Sequence, residues 1–257
     1  MKINSNALKI IACISMFTDH LGAILFPGDL AFRYVGRLAF PIFAFFIAEG
    51  VIHTSDKLKY FLRVLALALV CQVFYVADAI FIEHSFDELY LNVLFTFALS
   101  ILVCWSWQEA VRDKKKFYLF IVAVIFSAAL CVFANYTQGV FVLPGSDVLG
   151  TAPLLTTAYG SRFSVCVDYG FMGIMLPWCA MVIESSKKIQ RFVLFSAGIC
   201  LLSVQLMQSM AFQWLSLLAV PLLWIYDGTR GSLKLKYFFY AFYPLHLAVI
   251  YLIGMVI

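Results

Sequence analysis

Charge is what this chain has least of. Asp, Glu, Lys and Arg together make up 12% of its 257 residues, where a soluble domain carries about a quarter. With 64% of the residues hydrophobic and a mean hydropathy of +0.96, that shortage excludes an ordinary soluble fold. No long polar stretch interrupts the apolar runs, so there is no room for a sizeable soluble domain. No basic cluster is interleaved with soluble-type segments, and nucleic acid is not expected as a partner. Internal repeats and low-complexity linkers are lacking too, so a single integral membrane domain is expected over residues 1–257. The seven cysteines (Cys13, Cys71, Cys104, Cys131, Cys166, Cys179 and Cys200) form no Cys-x-x-Cys pair. They read as small buried hydrophobes, and without clustered ligands no metal is expected.

What is present is a series of nine apolar runs of spanning length. They lie at about residues 7–26, 34–52, 60–82, 89–109, 117–136, 166–184, 191–209, 211–226 and 236–257. The expected fold is therefore all-α, a polytopic membrane helix bundle of about nine transmembrane helices. The 26 Phe and 13 Tyr suit lipid-facing and interfacial positions. The first run has no small-residue cleavage site before Asp19-His20, so it reads as an uncleaved first span. The eighth run is short, either tilted or partly re-entrant, and a tight hairpin must join it to the seventh. Lys and Arg set the orientation, because they collect on the cytoplasmic side. Lys2 and Lys9, then Lys57, Lys59 and Arg63, Arg112 and Lys114 to Lys116, Lys187, Lys188 and Arg191, and Arg230, Lys234 and Lys236 all fall on one side of a nine-span chain. Only Arg33, Arg37 and Arg162 fall on the other. This split puts the N-terminus in the cytoplasm and the C-terminus outside.

The stretch Met16-Phe17-Thr18-Asp19-His20-Leu21-Gly22 lies within the first run. Adjacent ionisable residues at that depth are costly to hold in hydrocarbon, and they mark a site or a polar tie between helices. Arg37 opens the second run in Gly36-Arg37-Leu38-Ala39-Phe40-Pro41, and a short loop brings it to the level of Asp19. An Arg37–Asp19 pair would satisfy both charges and leave His20 facing a cavity; the alternative is that Arg37 snorkels to the outer interface. Arg33 and Arg162 are read as contacts to lipid headgroups. Gln72, Asp78, Asn92 and Thr96 are read as helix-to-helix hydrogen bonds, and Glu49 lies near the inner end of the second run. His84 sits in an acidic outer loop.

Asp168-Tyr169-Gly170 opens the sixth run on the outer face, where Asp168 and Tyr169 are candidates for substrate binding. The apolar loop over 137–165 would cap the outer mouth or receive a substrate. The last run carries a second intramembrane histidine, His246, which shares a helical face with Tyr243 beside the kinking Pro244. Before it comes Tyr226-Asp227-Gly228-Thr229-Arg230-Gly231, a glycine-rich basic turn. Gly228, Arg230, Gly231 and Lys236, with Arg63, have the chemistry to hold phosphates on the cytoplasmic side. A plain cytoplasmic turn with positive-inside charge has the same composition. The residues alone leave three readings open: an acyltransferase with a histidine base, a transporter or channel using Asp19, His20 and Arg37, and an assembly factor whose polar residues are structural.

In order along the chain, the motifs resemble those of the TraX family, the conjugative-transfer pilin acetylases and their chromosomal relatives. The matching pieces are Leu8-Lys9-Ile10-Ile11-Ala12 leading to Asp19-His20, Gly36-Arg37-Leu38-Ala39-Phe40-Pro41-Ile42-Phe43-Ala44-Phe45, Glu49-Gly50 with His53-Thr54, and Lys59-Tyr60 with Arg63. Then come Leu91-Asn92-Val93-Leu94-Phe95-Thr96, Asp168-Tyr169-Gly170, Tyr226 to Gly231, and Lys236-Tyr237-Phe238-Phe239-Tyr240 running to Tyr243-Pro244-Leu245-His246-Leu247. The resemblance runs nearly end to end. It implies kinship with multispan membrane acyltransferases that take an acyl group from acyl-CoA to an acceptor across the membrane. It implies a central role for His20; the residues then make Asp19 the group that orients this base, and Arg37, Tyr243 or His246 the donor for the tetrahedral oxyanion. Acetyl-CoA is the implied donor and a bacterial inner membrane the implied location, with lipid as surroundings. The acceptor is left open between a peptide N-terminus, as in the pilin of plasmid relatives, a glycan and a lipid.

Overall fold

The computed structural model describes residues 2–26, 28–81, 88–137, 164–207 and 211–254. His84, Arg162 and nearly all of the 137–165 loop lie outside the described residues, as do the side chains of Asp78, Cys166 and Lys236. The described chain is almost wholly helical, and every apolar run carries helix. In order the elements are α1 (Ser5–Ile24), α2 (Leu30–Gly36), α3 (Ala39–His53), α4 (Lys57–Phe81), β1 (Glu88–Leu91), α5 (Val93–Arg112), α6 (Phe117–Thr137), β2 (Ser164–Val167), α7 (Gly170–Met181), α8 (Lys188–Gln205), α9 (Ala219–Trp224) and α10 (Lys236–Gly254). Among the described residues, four stretches are long and apolar enough to cross a membrane: Ser5–Ile24, Leu30–His53, Val93–Arg112 and Tyr237–Gly254. The chain is a helical membrane protein.

Three details depart from uniform spans. The second run is two helices, α2 and α3, parted by a turn at Arg37 and Leu38. Pro41 accounts for the break, because its ring would strike the carbonyl four residues back in a continuous helix. The eighth run is a 3₁₀ segment, Ala211–Leu218, leading into the six-residue α9. The sixth starts as a strand: β2 pairs in parallel with β1, Glu88 opposite Ser164 and Leu91 opposite Val167. This ladder was not expected of an all-α chain.

Polar side chains start the helices. Asn4 accepts from Ala7 N at 3.0 Å, Asp29 from Ala31 N at 2.9 Å, Asp56 from Lys59 N at 2.9 Å and Asn92 from Leu94 N at 3.1 Å. Each oxygen satisfies a backbone donor that a helix N-terminus leaves unpaired. The Asp56 carboxyl is held below its usual range, first by the Lys59 N–H and then by the Lys59 ammonium.

The chain divides into two compact units, one made of residues 1–52 and 179–257 and the other of residues 53–178. In the second, Asn92 Nδ2 donates to Ala68 O and Gln72 Oε1, both at 2.9 Å, tying α4 to α5. Thr96 Oγ1 donates to Asp168 O at 2.5 Å, and Ser100 Oγ to Ile174 O at 2.8 Å. The expected helix-to-helix roles of Gln72 and Asn92 are therefore present, whereas Thr96 ties α5 to the turn before α7. Leu99, Val103, Cys131, Val167 and Ile174 form the buried core there. In the first unit, Phe45 meets Phe46, Phe192, Phe195 and Tyr226 at ring-centroid distances of 5.7 to 6.1 Å. Cys13, Cys71, Cys104, Cys131 and Cys179 are buried, as small hydrophobes should be.

Helices α1 and α2 lie antiparallel within the first unit. Ser15 Oγ donates to Val35 O at 2.5 Å, and further along α1 Gly22 faces Phe32. Glycine is required at both close approaches. A Cβ on Gly22 would stand 2.3 Å from Phe32 Cβ, and one on Gly36 only 2.1 Å from Asp19 Oδ1.

Candidate functional site

The side chains that the sequence marked on α1, α2 and α10 meet inside the first unit. Asp19 accepts from two arginines: Arg37 NH2 donates to Oδ1, and Arg33 NH1 donates to Oδ2 at 2.9 Å. Arg33 and Arg37 are four residues apart, so a helical turn stacks them on one face. Arg37 lies at the C-cap of α2 and is only 1% exposed. Its Nε donates to Arg33 O at 3.1 Å, its NH1 to Gln213 Oε1 at 3.2 Å, and its guanidinium lies 5.3 Å from the Phe212 ring centre. Gln213 Nε2 donates to Ser216 Oγ at 2.6 Å, and Ser216 Oγ donates back to Arg37 O at 3.1 Å. The bonds form a closed polar ring through Arg37, Gln213 and Ser216. That arrangement keeps a buried guanidinium tolerable. Arg37 does not snorkel.

His20 takes its orientation from other groups. Its Nδ1 lies 2.9 Å from Met16 O and 3.3 Å from His246 Nε2. His246 Nδ1 lies 2.9 Å from Phe242 O. A carbonyl oxygen can only accept, so in both rings Nδ1 carries the hydrogen. His246 Nε2 is then an acceptor, sharing the His20 Nδ1–H with Met16 O. His20 Nε2 keeps its lone pair, the feature a general base needs. The rings stand at 4.9 Å and 71°. Phe242 stacks on His246 at 5.1 Å, and Tyr243 meets it edge-on at 5.4 Å; both Tyr243 and His246 are buried. The expectation that Asp19 orients His20 is corrected here: both Asp19 carboxylate oxygens accept from arginines, and the ring is held by Met16 O and His246.

Further along α1, Lys9 Nζ lies 4.8 Å from the Phe46 ring centre and 5.8 Å from that of Phe239. The segment before α1 is fastened to the glycine-rich turn. Ile3 N donates to Ile225 O and Asp227 N to Ile3 O, both at 3.0 Å, and Ser5 N donates to Thr229 O at 2.9 Å. Asn6 Nδ2 donates to Leu233 O at 2.7 Å. Gly228 and Gly231 adopt φ of 80° and 85°, the left-handed region that favours glycine. A Cβ on Gly231 would also stand 2.9 Å from Asn4, whereas one on Gly228 would meet nothing. Asp227 Oδ1 accepts from Thr229 N and Thr229 Oγ1, both at 2.7 Å, and these bonds hold its carboxyl below the usual range. Gly231 thus serves close packing, while Gly228 and the exposed Arg230 face open space. Lys236 begins α10.

Arg63, Asp168 and Tyr169 belong to the other unit. Arg63 is exposed on α4, its Nε donating to Lys59 O at 3.0 Å. Asp168 N donates to Leu91 O at 3.2 Å, and Tyr169 stands at φ 59°. A non-glycine residue in that region costs backbone energy and is held by its surroundings, here the turn joining β2 to α7.

Several partners escaped the sequence reading. The sequence reads Arg33 as a headgroup contact, although its spacing of four from Arg37 is the available signal. Gln213 and Ser216 lie in a short apolar run with no motif around them. Glu49 and Arg191 were read apart, yet Arg191 NH2 donates to Glu49 Oε1, its Nε to Ala180 O, and its guanidinium lies 4.7 Å from the Phe45 ring centre. That buried pair joins α3 and α8 to the end of α7 and leaves little of either charge for chemistry.

The family profile described as "TraX protein" matches residues 4–149 and 147–254. A probable fimbrial assembly protein FimC, serogroup H1, of Dichelobacter nodosus is 30% identical over 257 residues, covering 95% of this chain and 92% of that protein. An uncharacterized protein of Rickettsia prowazekii (strain Madrid E) is 34% identical over 67 residues, 26% of this chain and 25% of that protein. No solved structure matches.

Proposed function

The chain belongs to the TraX family, and from that premise we propose that it is a membrane-embedded acetyltransferase serving the assembly of a surface fibre. The donor is cytoplasmic acetyl-CoA and the acceptor an amine or hydroxyl group presented at the outer face. In this reading the nine helical runs are nine spans of the bacterial inner membrane with the N-terminus in the cytoplasm, a reading that the distribution of Lys and Arg supports. The fimbrial link comes from the Dichelobacter relative, whose description is a probable fimbrial assembly protein.

The observation that carries the enzymatic reading is the contact of His20 Nδ1 with Met16 O at 2.9 Å, which assigns the ring hydrogen to Nδ1. That Nδ1–H is engaged by Met16 O and His246 Nε2, so Nε2 is the basic atom. In the transfer step the acceptor N–H or O–H gives its proton to His20 Nε2. The acceptor atom bonds to the thioester carbonyl carbon, the carbon–sulfur bond breaks, and CoA leaves as a thiolate that takes up a proton. The imidazolium that forms is stabilised through Nδ1–H by two acceptors already in place. Arg37 is fully engaged, so it supports Asp19 rather than the oxyanion. Gly228 and Arg230 offer an open backbone and a cation to the CoA phosphates, and Lys236 adds a further cation for the same anionic donor.

The experiment is transfer of labelled acetyl from acetyl-CoA by the purified full chain in lipid nanodiscs, read by mass spectrometry on fimbrial-subunit N-terminal peptides, aminosugars and aminolipids. Transfer by the wild-type chain, lost in His20→Gln with acetyl-CoA binding retained, is the expected result. Wild-type turnover in a folded His20→Gln protein would return Asp19-His20 to a structural role, and absence of acetyl-CoA binding would favour transport or assembly alone.

A further inference from the structure

Two guanidinium groups attend one carboxylate at Asp19, and one would neutralise it. Arg37 already does so from a fully buried position with every bond directed inward. Arg33 is different: its side chain is 22% exposed. Its NH1 donates to Asp19 Oδ2 at 2.9 Å and to Asp19 O at 3.2 Å, while its Nε and NH2 have no partner among the described residues. The nearest acid on its own helix, Asp29, caps Ala31 N and makes no ion pair with Arg33 among the described residues. The cluster of Asp19, Arg33 and Arg37 therefore carries one uncompensated positive charge, with a guanidinium edge left open. Bringing a second cation beside the first costs Coulomb energy, which a further anion at the open edge would help to offset.

We propose that the open edge of Arg33 binds an anionic group, a carboxylate or phosphate, on the acceptor itself. The planar guanidinium fork matches both groups with two parallel hydrogen bonds. His20 follows Asp19 directly in α1, so an anion held by Arg33 lies at the level of the base, on the adjoining face of the helix. The acceptor class is thereby narrowed to small amines or alcohols, or chain ends, that carry a negative charge close to the nucleophile. The assignment rests on the acetyl-transfer reading for the word acceptor, but the anion site itself can be tested without turnover.

The test uses the full chain in phosphatidylcholine nanodiscs and two probes, O-phosphoethanolamine and ethanolamine, measured by calorimetry. A charge-assisted pair contributes about 1.5–3 kcal/mol, so the phosphorylated amine should bind about tenfold or more tightly than ethanolamine. Arg33→Gln should bring the two probes to near equality, and Arg33→Lys should restore only part of the preference, having charge without the fork. Equal binding of the two probes to the wild-type protein, which needs no variant, would overturn the proposal. An undiminished preference in folded Arg33→Gln would do the same. A lipid phosphate could offer the same chemistry, so native mass spectrometry from phosphatidylglycerol discs forms the second arm. Retention of that lipid that depends on Arg33, with no probe preference in phosphatidylcholine, would assign the edge to lipid and reject the acceptor. A clear probe preference in a protein that transfers no acetyl group would keep the anion site and remove the enzymatic reading instead.

Discussion

His20 and His246 stand 226 residues apart in the chain, yet His246 Nε2 lies 3.3 Å from His20 Nδ1 and the rings meet edge to face. The contact makes His246 a positioning residue for His20. Replacing His246 by Phe would keep the stack on Phe242 but remove the acceptor that shares the His20 Nδ1–H. Turnover should fall about tenfold to a hundredfold, the lower range for losing part of a general base, with acetyl-CoA affinity unchanged. His246→Asn, whose oxygen can accept, should recover part of the rate. Equal rates in both variants and the wild type would separate the two rings functionally.

The close approach of α1 and α2 depends on Gly36. A methyl group there would overlap the Asp19 carboxylate, so Gly36→Ala should destabilise the protein by about 1–3 kcal/mol through overpacking. Gly28→Ala, where an added Cβ meets nothing within 4 Å, should leave thermal stability nearly unchanged. Paired melting curves in the same detergent would check the contrast.

The ring through Arg37, Gln213 and Ser216 predicts unequal costs. Arg37→Leu leaves Asp19 with Arg33 alone and strands Gln213, a loss of about 3–5 kcal/mol by analogy with other broken buried pairs. Gln213→Ala removes one acceptor from a guanidinium that keeps its carboxylate, at about 1–3 kcal/mol. Thermal unfolding of the two variants should rank them in that order.

The glycine-rich turn predicts a pH effect of definite sign. The Asp227 carboxyl is held below its usual range by Thr229, so its bonds contribute at neutral pH and are lost as pH falls through the lowered value. Hydrogen exchange at the Ser5 amide, which donates to Thr229 O, should quicken in strong acid relative to an unprotected amide at the same pH. In Asp227→Ala it should already be fast at neutral pH, whereas Asp227→Asn, which still offers an oxygen, should stay near the wild type. Gly231→Ala should quicken it as well, through strain at φ 85° and the contact with Asn4.

The proposed orientation is checked by single cysteines in a cysteine-free chain. Position 115 should resist an impermeant thiol reagent added to intact cells and label after the membrane is opened. A cysteine at position 150, in the loop proposed to lie outside, should label from the start. Labelling of position 115 in intact cells would reverse the proposed arrangement.

Helix positions were legible because apolar runs and capping residues act locally: Asn4, Asp29, Asp56 and Asn92 each serve an amide two or three residues away. The Asp19–Arg37 pair was legible too, since a short connection forces antiparallel neighbours together and buried opposite charges seek each other. Pairings between distant segments were not. Nothing local in Gln213, Glu49 or Arg191 names a partner, and the short β1–β2 ladder joins segments whose composition is that of any apolar loop. Composition and charge asymmetry alone determined that this is a helical membrane chain, because hydrocarbon excludes unpaired backbone and most charges. Tertiary structure decided that Met16 O and His246, rather than Asp19, orient His20. Hydrogen bonds act over about 3 Å, and only packing brings groups from opposite ends of a chain within that reach.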